Sequence, residues 1–145
     1  MSGRVNQLGA YGKIANAETD PLRQIVMLYD GAIKFLRLAA TDIEAGDIAA
    51  KAEHSNRALD ILSYLQSILD FETGGDVAPV LDFLYSQVMR QVLKASAALD
   101  SADMQQAAEL LLPVREAWAS GITTTGVAVS AGEHHPALKS YQKIA

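Results

Sequence analysis

The chain has no cysteine at all, which removes disulfides, thiolate zinc sites and a cysteine nucleophile together and points to a reducing compartment. It has no apolar run near the roughly 18 residues of a membrane span. Its first residues, MSGRVNQLGAYGK, lack an apolar signal core, so the expected location is cytoplasmic, without membrane insertion. Basic residues are outnumbered: 12 Lys and Arg against 17 Asp and Glu give a net charge of −5. That balance argues against a nucleic-acid partner. Proline is scarce, at 4 in 145 residues, and 50% of the chain is hydrophobic with much alanine, which favours helix.

What is there is helical periodicity. DPLRQIVMLYDGAIKFLRLAATDIEA (20–45) begins with Asp20 as a cap and Pro21 in the first helical position, and Gly46 ends it. It carries two apolar stripes where a bundle helix needs one. The seam is Leu22, Val26, Tyr29, Ile33, Leu36, Ala40 and Ile43; the second stripe, about 90° to one side, is Ile25, Leu28, Ala32, Phe35 and Ala39. Asp47 caps a second helix over about 48–69, with a stripe of Ile48, Ala52, Ser55, Leu59, Leu62 and Leu69, flanked by Ala58, Ile61, Leu65 and Ile68. The loop DFETGGD (70–76) places Asp76 as a cap for a third helix, about 77–99, with the seam Leu81, Tyr85, Val88, Val92, Ala95, Leu99. After a break at Asp100 and Ser101, Met104, Ala107, Leu111, Val114 and Trp118 mark a fourth helix to Ser120, bent or loosened at Pro113. Short connections between such helices predict an all-α, antiparallel, up-down four-helix bundle.

The expected organisation is therefore an N-terminal segment (1–19), a bundle (20–120) and an irregular tail (121–145). Leu8, Tyr11 and Ile14 give the first segment an apolar edge that needs something to dock on. The tail ends in YQKIA (141–145), which repeats YGKIA (11–15) at four of five positions, so Tyr141 and Ile144 make a candidate second plug for the same surface. Catalytic patterns are missing: no phosphate loop, no nucleophile elbow, no paired carboxylates and no metal-ligand spacing. No enzyme, cofactor or metal is expected. His54, mid-helix with Arg57 and Lys51 nearby, leaves histidine phosphotransfer as one alternative. A homodimeric bundle that uses the second stripe as its interface is another.

The residues also resemble a known family. DPLRQIVMLYDGAI (20–33) looks like the first long helix of the flagellar export chaperones (FliS). NRALDILSYLQSILD (56–70), GGDVA (74–78), Leu81-x-x-Leu-Tyr85 and Arg115-x-x-Trp118 continue the likeness in order, and Ala10-Tyr11 fits the leading segment. The resemblance implies a cytoplasmic chaperone; the chain itself is expected to be a monomer or weakly self-associating. Such a chaperone binds the disordered C-terminal region of flagellin, prevents premature polymerisation and delivers it to the export gate of the flagellar type III apparatus. It also implies that the segment around Leu8, Tyr11 and Ile14 covers the client groove. On this reading the groove is walled by Ile25, Leu28, Tyr29, Ala32 and Phe35 on one helix and Ile61, Leu65 and Ile68 on the next, an arrangement that would accept an amphipathic client helix.

Overall fold

The computed structural model of the chain describes residues 21–72 and 75–120. They form four helices: α1 (Pro21–Ala45), α2 (Ile48–Ser67), α3 (Val77–Ala98) and α4 (Ser101–Ser120). The ends lie within a residue or two of those expected, because local chemistry sets them.

The α1–α2 and α3–α4 turns are built alike. At the first, Gly46 takes φ +74°, its N–H donates to Ile43 O (3.1 Å), and the Asp47 N–H reaches back to Asp42 O (2.9 Å). This crossed pair closes the last turn of α1. The Asp47 carboxylate then accepts the Ala50 N–H at 3.0 Å and starts α2. At the second turn Leu99 takes the left-handed conformation (φ 54°, ψ 44°) and donates to Ser96 O; Asp100 donates to Ala95 O and accepts the Asp103 N–H at 2.9 Å. Asp76 departs from expectation. Its own backbone is helical (φ −78°, ψ −11°), so its side chain makes no capping bond to α3. Helix α4 runs unbroken through Pro113, which can donate no ladder hydrogen bond.

Side-chain links fix the topology. His54 near the start of α2 meets Asp42 near the end of α1, and Ser101 at the start of α4 meets Glu44, 3.0 Å away. Gln66 near the end of α2 donates to Ser86 Oγ in the first half of α3 (2.9 Å). Gln91 late in α3 donates to Asp103 early in α4. Each neighbouring pair is thus antiparallel. The four helices form the expected all-α up-down bundle, in which α1 and α3 are each flanked by α2 and α4. Helix α1 packs more extensively on α2 and α4 than α3 does.

The core explains the width of the apolar arc on α1. Tyr29, Ala32, Leu36 and Ala39 are fully enclosed, and they alternate between the two stripes read from the sequence. Ile25 lies on the same midline, Leu28 and Phe35 flank it on one side and Ile33 and Ala40 on the other, and all are buried. The two stripes are the two edges of one buried face. Helix α2 is rotated from its expected stripe. Ala58, Ile61, Leu62, Leu65 and the capping residue Ile68 enter the core, while Ile48 is 48% exposed. At its start the inward positions are polar: Ser55, and Lys51, whose ammonium donates to Ser96 O (3.2 Å) and Ser96 Oγ (3.0 Å). A cation in the last turn of α3 also suits the negative end of that helix.

Candidate functional site

The eight residues expected to wall a groove are brought together, but against each other. Ile25, Leu28, Tyr29, Ala32 and Phe35 of α1 and Ile61, Leu65 and Ile68 from α2 and its cap all belong to a single core cluster, none more than 7% exposed. Side chains of the bundle fill the space between these helices, so these residues offer no open groove in this conformation. The reason is the number of neighbours. A helix flanked by two others, with a third across the diagonal, needs about half its cylinder apolar for packing alone. Leu8, Tyr11, Ile14, Tyr141 and Ile144 lie outside the described residues.

His54 has a definite place in this packing. Its Nδ1 and the Asp42 Oδ2 share a 2.6 Å hydrogen bond, and its ring stacks on Phe35 with centroids 6.0 Å apart. The Arg57 guanidinium lies over the same Phe35 ring, 5.6 Å from its centroid, and pairs with Glu53 at 2.6 Å. These contacts tie the end of α1 to the start of α2. Across the diagonal, the hydroxyls of Tyr29 and Tyr85 share a 2.7 Å hydrogen bond inside the core. Burial raises the pKa of both phenols far above 10; for Tyr29 the Tyr85 hydroxyl and the Trp118 indole offset part of this. The buried Trp118 N–H itself makes no hydrogen bond of good geometry. In the first half of α1, Asp30 receives two bonds from Arg115 in the second half of α4 (2.7 and 3.2 Å), a clamp between the first and last helices. Among the described residues no group of His, Asp and Glu is arranged to hold a metal ion, and no helix is long and apolar enough to cross a membrane.

The open apolar surface is elsewhere. On α3, Val80 is 65% and Phe83 66% exposed, and Leu110 of α4 is 39% exposed. With half-buried Leu84 they line one end of a groove of about 590 Å³ between α3 and α4. Gln87, Arg90, Gln91, Lys94 and Asp103 line the rest. At about 100° per residue, Val80, Phe83, Gln87, Arg90 and Lys94 form one face of α3, some 140° round from its buried seam. The Gln91 amide bridges the two helices, donating to Asp103 O (3.1 Å), Asp103 Oδ1 (3.2 Å) and Gln106 Oε1 (3.1 Å). Sequence reasoning passed over this face because the clean seam of Leu81, Tyr85, Val88, Val92 and Ala95 already accounted for the helix. The available signal was a surplus: Val80 and Phe83 are large apolar residues for which that seam has no use.

An apolar groove on a filled helical bundle suits a helical ligand, and comparison with known proteins agrees with the kind of bundle it is. The family model described as flagellar protein FliS matches residues 4–125. The flagellar secretion chaperone FliS of Salmonella typhimurium is 36% identical over 99 residues, covering 68% of this chain and 73% of that protein. Its counterpart in Vibrio cholerae is 32% identical over 115 residues, 77% of this chain and 85% of that protein. That of Bacillus subtilis is 28% identical over 119 residues, 81% and 86% respectively. With a family match running through all four helices and relatives aligned over most of both chains, this chain belongs to the flagellar protein FliS family.

Proposed function

We propose that this protein is a cytoplasmic flagellar secretion chaperone. It binds the C-terminal region of flagellin, holds it back from polymerising, and delivers it to the export gate of the flagellar type III apparatus. Family membership supports the general role, since the relatives above are named flagellar secretion chaperones. The observation that carries the reading to a site is the exposure of Val80 and Phe83 on a bundle whose interior is already filled. Large apolar side chains left this open mark a surface that a partner covers.

In this reading the client folds as it binds. An amphipathic client helix sets anchors at i, i+3, i+4 and i+7 against Val80, Phe83, Leu84 and Leu110. Ordering a disordered client costs about 2–5 kcal/mol, which keeps the complex releasable at the gate. The segment around Leu8, Tyr11 and Ile14 is the proposed cover of the client surface, and the repeat at Tyr141 and Ile144 a competing second plug. Each lowers the client's apparent affinity by the fraction of time the surface is closed.

The experiment is titration with the C-terminal region of flagellin, followed by calorimetry and light scattering. Saturable one-to-one binding to a monomer is expected. The same exposed α3 face also favours a rival, a homodimer that buries Val80 and Phe83 between two copies. A stable dimer indifferent to the flagellin region would establish that rival and overturn the chaperone reading. Removing residues 121–145 is expected to tighten client binding; unchanged affinity would remove the second plug.

A further inference from the structure

The α3–α4 groove is polarised along its length. Val80, Phe83 and Leu110 lie at the end where α3 begins, and Arg90 and Lys94, both exposed, lie toward the end where α3 finishes. Along a helix that rises 1.5 Å per residue, the two cations stand about 10 and 16 Å beyond Phe83. Among the described residues Asp103 is the one carboxylate lining the groove; Gln91 donates to its backbone and side-chain oxygens, and its single negative charge is outweighed by the two cations. Arg90 gives one N–H to Gln87 Oε1 at 2.6 Å. A guanidinium carries five N–H donors, so this bond leaves others for a ligand carboxylate. The setting strengthens the contrast, because the chain as a whole carries a net charge of −5. An acidic helix is repelled by the protein's average field and attracted at this groove end.

We propose that the groove selects an acidic amphipathic helix. The ligand sets apolar anchors on Val80, Phe83 and Leu110 and places carboxylates two to three turns further along, against Arg90 and Lys94. The anchors supply most of the affinity, and the carboxylates fix the register and the direction in which the helix lies. The inference rests on the groove being the client surface and adds the chemistry by which that surface chooses.

The test uses the full chain and two designed 18-residue helical peptides with identical leucine anchors, one carrying two Glu and the other two Lys at the distal positions. Binding is measured by fluorescence anisotropy at low and high salt, alongside binding of the flagellin C-terminal region. The Glu peptide is expected to bind about tenfold more tightly at low salt, with the gap narrowing as salt rises. The double substitution Arg90→Glu, Lys94→Glu is expected to invert the preference and to weaken the flagellin region by a similar factor. Both residues are exposed, so circular dichroism and the melting temperature should confirm an intact fold. Equal binding of the two peptides, or a preference untouched by the charge reversal, would overturn the inference. Phe83→Asp separates the two levels. If it abolishes binding while charge reversal changes nothing, the groove stands and its selectivity for acid falls. If it too changes nothing, the groove is not the client surface.

Discussion

Helices α1 and α3 are the two longest in the bundle, each is apolar over more than one stripe, and each ends in a left-handed residue followed by a capping aspartate. The bundle uses them in opposite ways. On α1 both stripes enter the core, with Leu22, Val26 and Ile43 of the seam half-buried at its edge, because neighbours pack closely on either side. On α3 one seam is buried, and the surplus residues Val80, Phe83 and Leu93 stay at the surface. Surplus hydrophobicity in a sequence thus has two destinations. It is structural where neighbours are close and available for binding where they are not.

The comparison breaks most sharply at Leu28. A charge there has no solvent and no partner, so Leu28→Asp is expected to destabilise the fold by about 3–5 kcal/mol. Urea unfolding measures this directly; Phe35→Asp should also destabilise, but by less, because Arg57 and His54 stand against that ring. Stable folding of either variant with selective loss of client binding would return α1 to the role of groove wall.

Tyr29 and Tyr85 test how the two helices are joined across the core. In the folded state burial holds both phenols neutral well beyond pH 10, whereas in the unfolded chain they ionise near 10. Their contribution is therefore fully present below pH 10 and lost as the pH climbs above it. The loss is about 1.4 kcal/mol per pH unit for each tyrosine. Chemical unfolding between pH 8 and 11.5 should show stability falling, and Tyr29→Phe with Tyr85→Phe should flatten that fall. The single substitution Tyr29→Phe strands the Tyr85 hydroxyl and is expected to cost about 1–3 kcal/mol at neutral pH, more than the double substitution.

On α3 the expectation reverses. Phe83→Ser should leave stability within about 0.5 kcal/mol, because the ring is largely exposed. It should weaken binding of the flagellin C-terminal region by about tenfold, or 1.4 kcal/mol. A stability loss equal to the binding loss would mean that the ring packs in the fold after all.

How much of this was legible follows from how local each feature is. Gly46, Asp47 and Asp100 announced the helix ends because capping depends on a few adjacent residues. The bundle class followed from seam spacing and short connections. The rotation of α2 did not, because Lys51 faces inward where hydropathy counts it as surface, while Ile48 of the expected stripe is 48% exposed. Only the Lys51 contact with Ser96, 45 positions away, shows why a lysine is tolerated there. The use made of the α1 stripe was not legible either: periodicity gives the width of an apolar arc, while tertiary neighbours decide what covers it. The α3 face was present in the sequence as an excess over its seam, and only the geometry of α4 turned that excess into a groove.

The smallest effect concerns how the two helices end. Gly46 occupies its left-handed position without strain, and no atom lies within 4 Å of where a Cβ would stand, so Gly46→Ala costs backbone strain alone, about 1 kcal/mol. Leu99 occupies the equivalent position after α3 and already carries that strain, with a side chain 47% exposed and so only partly repaid by burial. Leu99→Gly removes the strain of about 1–2 kcal/mol but adds glycine's chain entropy of about 0.5–1 kcal/mol. The net expectation is a gain below about 1 kcal/mol, or a rise in Tm of a few degrees by calorimetry. The opposite signs at two turns of identical hydrogen bonding isolate the residue from the turn. A fall in Tm on Leu99→Gly would show that the leucine packs on the bundle end by more than its exposure suggests, and would place it with the buried residues of α1 rather than the open face of α3.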